Sequence, residues 1–179
     1  IRDLGKTETE CYYSGPYEPT YLVRKGDILI SMDGEFNVYL WNGPDGLLNQ
    51  RVCKVWSKEI TKLSDLFLYY ALQKPLKIIE SQISQTTVKH LLNRDLDRIK
   101  IPLPPIEEQR AIVGVLGVVD SAVELVDRVI AKTEHLKKGL MQTLLTRGIG
   151  HKEYKQTPIG KIPKTWDVVR LKEVVLDIK

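Results

Sequence analysis

Cysteine is scarce in this 179-residue chain: Cys11 and Cys53 are the only two, far apart and without a secretory signal before them. That pattern argues against a disulfide framework and for a reducing compartment, the cytoplasm. No apolar run approaches the roughly eighteen residues a membrane span needs, so no membrane role is expected. Glycine-rich phosphate-binding motifs are missing, and no glycine-rich strand-to-helix turn offers a cofactor site. The three histidines, His90, His135 and His151, are scattered with no cysteine or carboxylate at ligand spacing, so no metal site is expected. Asp27, Asp33 and Glu35 are the nearest approach to a metal-dependent nuclease. Asn37, however, stands where a lysine would follow Glu35, and Asp27 lies in a Lys-Gly-Asp turn, where turn chemistry accounts for it. There is no low-complexity tract. An excess of one charge is also lacking: 27 Lys and Arg stand against 23 Asp and Glu, a net charge of +4, with a pI near 8.9. Such a balance permits a nucleic-acid partner without demanding one. The charge is uneven, since residues 1–104 carry 14 basic and 13 acidic side chains, 105–146 carry 5 and 6, and the tail 147–179 carries 8 and 4.

What is present is one very long helical pattern. It opens at Pro104-Pro105, where a proline in the first turn removes an N–H that would have no partner, and Glu107 and Glu108 face the positive end of the helix dipole. It runs to Gly148-Ile149-Gly150, about forty residues or roughly 60 Å. Apolar positions step by four and three through Ile112, Leu116, Val119, Val123, Val126 and Ile130, then Leu140 and Leu144. Val115, Ala122, Val129 and Leu136 flank them. This is the spacing of a coiled-coil-like seam. Lys137 and Lys138 suit the negative pole, and Gly148 supplies the left-handed residue that closes a helix. A helix this long cannot keep such a stripe in water, and the chain offers no second long helix, so the stripe requires a partner molecule or another part of the same one. The competing reading lays the helix on its own domain, but a domain near 30 Å across covers only half of it.

Before the helix, residues 1–20 are polar and turn-rich. Tyr21-Leu22-Val23 and Asp27-Ile28-Leu29-Ile30-Ser31 read as a hairpin or tight strand pair around Arg24-Lys25-Gly26. Phe36–Trp41 forms a further strand between turns, and strand character resumes from Leu47 to Trp56, making 21–56 a small β-rich lobe. Ser64 is placed to cap a helix through Gln73, with Pro75 ending or kinking it before a second short helix over Lys77–Glu80. Ser84–Thr87 reads as a polar loop, Asn93 as the cap of a short turn, and Ile99–Leu103 as an extended piece. After Gly150 the tail is polar and proline-bearing, and Trp166–Leu171 reads as the start of a new strand. The first residue, Ile1, and the last, Lys179, sit as though the chain were a fragment.

Three passages together resemble the specificity subunit of type I restriction-modification systems. The first is Ile101-Pro102-Leu103-Pro104-Pro105-Ile106-Glu107-Glu108-Gln109. The second joins Leu136-Lys137-Lys138-Gly139-Leu140-Met141-Gln142-Thr143-Leu144-Leu145-Thr146 and Gly148 to Ile159-Gly160-Lys161-Ile162-Pro163-Lys164-Thr165-Trp166-Asp167-Val168-Val169-Arg170-Leu171. The third is looser: Lys25–Ser31, Leu48-Asn49-Gln50-Arg51-Val52, and Thr86–Leu91 before Asp95-Leu96. The resemblance implies a non-catalytic reader of double-stranded DNA. It implies an α+β fold: a target-recognition domain with a small β-rich sheet and packed helices, then one long spacer helix. On that likeness 1–104 is a recognition domain incomplete at its N-terminus, 105–146 the spacer, 147–159 a linker and 160–179 the opening of a second recognition domain. The subunit would read part of a bipartite site and scaffold modification subunits, which bind S-adenosylmethionine, and through them restriction subunits. No cofactor is expected in this chain. A rigid spacer would set two reading heads one to two DNA turns apart. With half of the family's subunit absent, a head-to-tail homodimer is expected, pairing through the helices, with each tail from Ile159 onward supplying the partner's missing opening strand.

Candidates for DNA contact are Lys25, Ser31, Asn37, Asn49, Gln50, Arg51, Thr86, Thr87, Lys89 and His90. Asn, Gln and Arg carry the donor and acceptor pairs that read base edges, and Lys and Thr suit phosphates. Each has an ordinary alternative in turn capping or surface polarity, and Asn49 and Gln50, matching the family's recurring pattern, lean toward structure. Tyr39 and Trp41 suit core packing better than stacking on DNA. Glu107, Glu108, Arg110, Arg128 and Lys132 are candidates for modification-subunit contact, against a simple solvated helix face. Two other readings stay open: a helical dimerisation module binding protein rather than DNA, and the recognition part of a single-chain methyltransferase-nuclease.

Overall fold

The computed structural model describes residues 4, 12–83 and 89–175. The chain divides into two compact units, 1–118 and 119–179.

The first unit is built on strand β2, Ile28–Ser31, the middle of a three-stranded antiparallel sheet with β3, Val38–Leu40, and β5, Val52–Val55, on its flanks. Alternation along a strand sends successive side chains to opposite faces. Ile28 and Ile30 therefore enter one core with Phe36, Leu68, Leu72, Leu76 and Leu91, while Leu29 enters another with Val23, Trp41 and Val52. β2 is covered on both faces, which explains its unbroken Ile-Leu-Ile run. Register is fixed by Leu29 opposite Tyr39 and Lys54. Trp41 is buried, its indole N–H donating to Pro44 O at 2.8 Å, and Tyr39 packs against the second core, so both serve packing as their sequence context indicated.

Several expected boundaries move. β1, Leu22–Val23, does not pair with β2; it pairs antiparallel with β4, Gly46–Leu47, as a separate two-stranded ribbon. The turn between β1 and β2 is instead held by Asp27, whose carboxylate accepts from Arg24 N–H at 2.7 Å and from Lys54 Nζ at 2.9 Å. The strand expected over Leu47–Trp56 is broken at 48–51, where Asn49 Oδ1 accepts from Arg51 N–H at 3.0 Å and turns the chain. α1 runs unbroken over Asp65–Gln82 with Pro75 inside it. The proline removes the bond to Ala71 O, but Leu72 and Leu76 are both buried and hold the turns on either side in the core. Ser64 makes no side-chain cap. α2, Asn93–Leu96, is preceded by Leu92, whose N–H donates to Asp95 Oδ2 at 3.1 Å, so Asn93 is the first helical residue rather than the cap.

α3, Ile106–Arg147, is a single helix of 42 residues. In the second unit it closes on Gly148 at φ +64, with Gly148 N–H donating to Leu144 O at 3.0 Å. The tail differs from the expected pattern: β6, Tyr154–Thr157, inside the stretch read as a linker, pairs antiparallel with β7, Gly160–Pro163. The strand expected over Trp166–Leu171 is not formed; Leu171 instead begins α4, Leu171–Val174.

Candidate nucleic-acid interface

Chain topology gathers polar side chains at the C-terminal end of β2. Ser31 ends that strand opposite Val52, so the loop before β5 lies beside it. The segment 89–91 is tied to the same end: Gly34 N–H donates to Lys89 O at 3.0 Å, Leu91 N–H to Met32 O at 2.8 Å, and Asp33 and His90 form an antiparallel bridge. Met32 N–H in turn donates to Arg51 O at 2.9 Å. Three loops are thereby stitched together by backbone bonds, which fixes where their side chains emerge.

Asp33 sits at the junction. One carboxylate oxygen lies 2.6 Å from His90 Nδ1 and the other 3.2 Å from Arg51 Nε. Asp33 is mostly covered, at 22 % side-chain exposure, whereas Arg51 at 59 % and His90 at 61 % are open. Beside them Glu80, from α1, accepts Phe36 N–H at 3.0 Å and pairs with Lys77 at 2.9 Å and Lys89 at 3.6 Å. The Lys77 hydrogen bond, aided by that from Phe36 N–H and the nearby lysine charges, holds the Glu80 carboxyl below the ordinary glutamate value.

The predicted contact residues separate into groups. Arg51, Lys89 and His90 meet at this end of the sheet, paired with Asp33, Glu80 and Asp33 respectively. Ser31 and Asn37 are in the same place but engaged locally: Ser31 Oγ donates to Glu35 O and accepts Asn37 N–H at 3.1 Å, and Asn37 Nδ2 reaches Glu35 Oε2 at 3.3 Å. Asn49 holds the Arg51 turn. Gln50 is exposed and lines a groove of about 1640 Å³ with Asn49, Tyr12, Tyr13, Tyr17 and Tyr21. Among the described residues the charged side chains lining that groove are Glu18 and Asp45, which do not suit a phosphate backbone. Cys53 also lines it, and burial raises its thiol to about 11, leaving it protonated and unreactive near neutrality. Lys25 is exposed at the opposite end of β2, beside Gly26, whose N–H donates to Trp41 O. Thr86 and Thr87 lie outside the described residues. Among the described residues no group of three or more His, Cys, Asp or Glu could hold a metal ion, and no helix is long and apolar enough to cross a membrane.

Sequence reasoning missed Asp33, Glu80 and Gln109. Gln109 is fully buried on α3: its Oε1 accepts Ser64 N–H at 2.9 Å, and its Nε2 donates to Lys62 O and Pro104 O, both at 2.8 Å. The available signal was a lone glutamine at helical spacing between Ile106 and Ile112, on the apolar stripe. Of that stripe, Ile112 and Leu116 are half-buried, while Val119, Val123, Val126, Ile130, Leu140 and Leu144 are all exposed.

Comparison with known proteins accords with this architecture. A family model for the type I restriction modification DNA specificity domain matches residues 12–135, and the chain belongs to that family. It is 36 % identical over 155 residues to the type I restriction enzyme MjaVIII specificity subunit of Methanocaldococcus jannaschii, covering 86 % of this chain and 36 % of the relative. The EcoBI specificity subunit of Escherichia coli is 40 % identical over 136 residues, 76 % of this chain and 28 % of the relative. The chain thus spans about a third of the length of these relatives. Among solved structures, the S subunit of a type I restriction-modification system from M. genitalium superposes with a TM-score of 0.59 at 25 % identity, covering 68 % of this chain and 33 % of that one. A structure solved to explain complex assembly and conformational transition of the type I R-M system gives 0.53 at 29 % identity, over 72 % and 31 %.

Proposed function

We propose that this chain is a sequence-specific DNA-recognition element of a type I restriction-modification complex, reading one part of a bipartite site in the cytoplasm and catalysing nothing itself. The observation that carries this reading is the match of residues 12–135 to the DNA specificity domain family. The stitched end of the sheet, with Arg51 and His90 exposed on two loops and Lys89 held beside them by Glu80, is the surface that meets DNA; Lys25 and Gln50 are peripheral. Residues 1–104 act as the reading head, 105–146 as a spacer and 160–179 as the opening of a second recognition domain. The chain works with modification subunits, which supply S-adenosylmethionine and methylation, and through them with restriction subunits.

The exposed apolar positions from Val119 to Leu144 support a helix partner. We infer a head-to-tail homodimer joined along α3. The test is duplex binding across a salt series. A specific reader loses affinity steeply as salt rises, with a log–log slope near −0.9 per phosphate contacted. Failure to bind duplex at low salt, or equal binding of every sequence, overturns the reading and favours a protein-binding assembly module.

A further inference from the structure

We propose that Arg51 reads a guanine in the major groove and that Asp33 is the residue that positions it; the proposal rests on the DNA-reading function above and adds which base and which groups. The backbone of Arg51 is pinned on both sides, its N–H to Asn49 Oδ1 at 3.0 Å and its carbonyl to Met32 N–H at 2.9 Å. Its side chain leaves this fixed base, stays more than half exposed, and forms an ion pair with Asp33, whose Oδ2 lies 3.2 Å from Nε. Among the described residues Nη1 and Nη2 make no hydrogen bond. Those two nitrogens form the fork that matches O6 and N7 of guanine. Adenine presents an amino donor in place of O6 and is refused by the same fork.

The neighbouring carboxylate distinguishes base reading from phosphate binding. A phosphate brought to Arg51 would also approach the negative charge of Asp33, and the repulsion would cancel much of the attraction. A guanine edge is uncharged, accepts from the arginine and does not repel the carboxylate. Asp33 also accepts from the Nδ1 side of His90 at 2.6 Å and is itself mostly covered, so its carboxylate is held in place beside the guanidinium. Ordering the side chain before DNA arrives lowers the entropy lost on binding. Lys25, exposed and remote from this carboxylate, is the contrasting phosphate-type contact.

The experiment is selection of bound duplexes from a randomised pool by the whole 179-residue chain, as wild type, R51K, D33N and the double variant, with thermal melting to confirm that each is folded. Wild type is expected to enrich a motif with a guanine at one defined position. R51K keeps the charge and loses the fork, so preference at that position falls about ten- to a hundredfold while other positions and the salt dependence hold. D33N is expected to weaken preference at the same position by a smaller factor, and the double variant to be no worse than R51K, because Asp33 acts through Arg51. An unchanged motif in R51K, or a uniform loss across all positions, overturns the proposal while leaving DNA reading intact. A wild-type chain that enriches no sequence overturns both.

Discussion

The centre of the small sheet and the second half of the long helix contain the same kinds of residue and treat them in opposite ways. In β2 Ile28, Leu29 and Ile30 are each almost wholly buried, because β3 and β5 flank the strand and a core lies on either face. In α3 every residue from Val118 to Arg147 is exposed, including Val119, Val123, Val126 and Ile130. Apolarity sets what a side chain gains by being covered, on the order of 25 cal/mol per Å²; whether it is covered depends on what the rest of the chain can bring to it. The sheet needs only its own loops and α1. An apolar stripe this long and open is characteristic of a surface that takes a partner.

The strongest way to break that contrast is to charge the stripe. Replacing Val123 and Ile130 together with lysine is expected to convert the dimer inferred above to monomer, seen as a halving of mass by light scattering across a dilution series. Replacing Glu124 and Asp127 instead leaves the mass unchanged. Equal effects from both pairs would show that the stripe is not the pairing surface. The beginning of the same helix predicts the opposite behaviour. Q109L removes the partners of Ser64 N–H, Lys62 O and Pro104 O at a buried site, which is expected to destabilise the first unit by about 3 kcal/mol in urea unfolding. A change below about 0.5 kcal/mol would mean that water replaces the glutamine and that the clamp is not structural.

The helix end in the second unit gives an intermediate effect. Gly148 has φ +64, and a Cβ there would lie 2.6 Å from the His151 ring and 2.8 Å from that of Trp166. G148A therefore combines a left-handed backbone cost of about 1–2 kcal/mol with displacement of those rings. Amide exchange across β6 and β7 is expected to quicken roughly thirtyfold, about 2 kcal/mol, with β2 amides unaffected. Equal acceleration in both places would show that the effect of the substitution is not confined to the tail.

What could be read from the residues follows from range. The α3 pattern, its acidic first turn and its closing glycine are local signals repeated over many turns, and they stand in the structure nearly to the residue. Family membership was legible because its motifs are local as well. Pro75 was misread because a local rule was overridden by Leu72 and Leu76 in the core, and the β1–β2 hairpin because β1 finds its partner across the lobe in β4. At the candidate interface the types Arg51, Lys89 and His90 were legible. Asp33 was not, since its roles come from residues 18 and 57 positions away in the sequence. Ser31, Asn37 and Asn49 show the converse: polar residues in loops that the structure uses to hold the loops themselves.

Glu80 supplies the smallest effect and the sharpest view of how the sheet end is held. Its carboxylate is the acceptor for Phe36 N–H and the partner of Lys77 and Lys89. Glutamine at this position keeps an acceptor for Phe36 but gives up the charge, so E80Q is expected to cost under about 1 kcal/mol at pH 7, the scale of partly exposed ion pairs. The pH dependence identifies the source. The folded carboxyl lies below its ordinary value, chiefly through Lys77, so its contribution is complete above the ordinary glutamate range and is lost as pH falls through the lowered folded value. The stability gap between wild type and E80Q is therefore expected to be constant from pH 7 down to the ordinary glutamate range and to close below it. A gap that persists at the lowest pH would assign the effect to side-chain packing or to the Phe36 hydrogen bond, and the sheet end would then be held by shape rather than by charge.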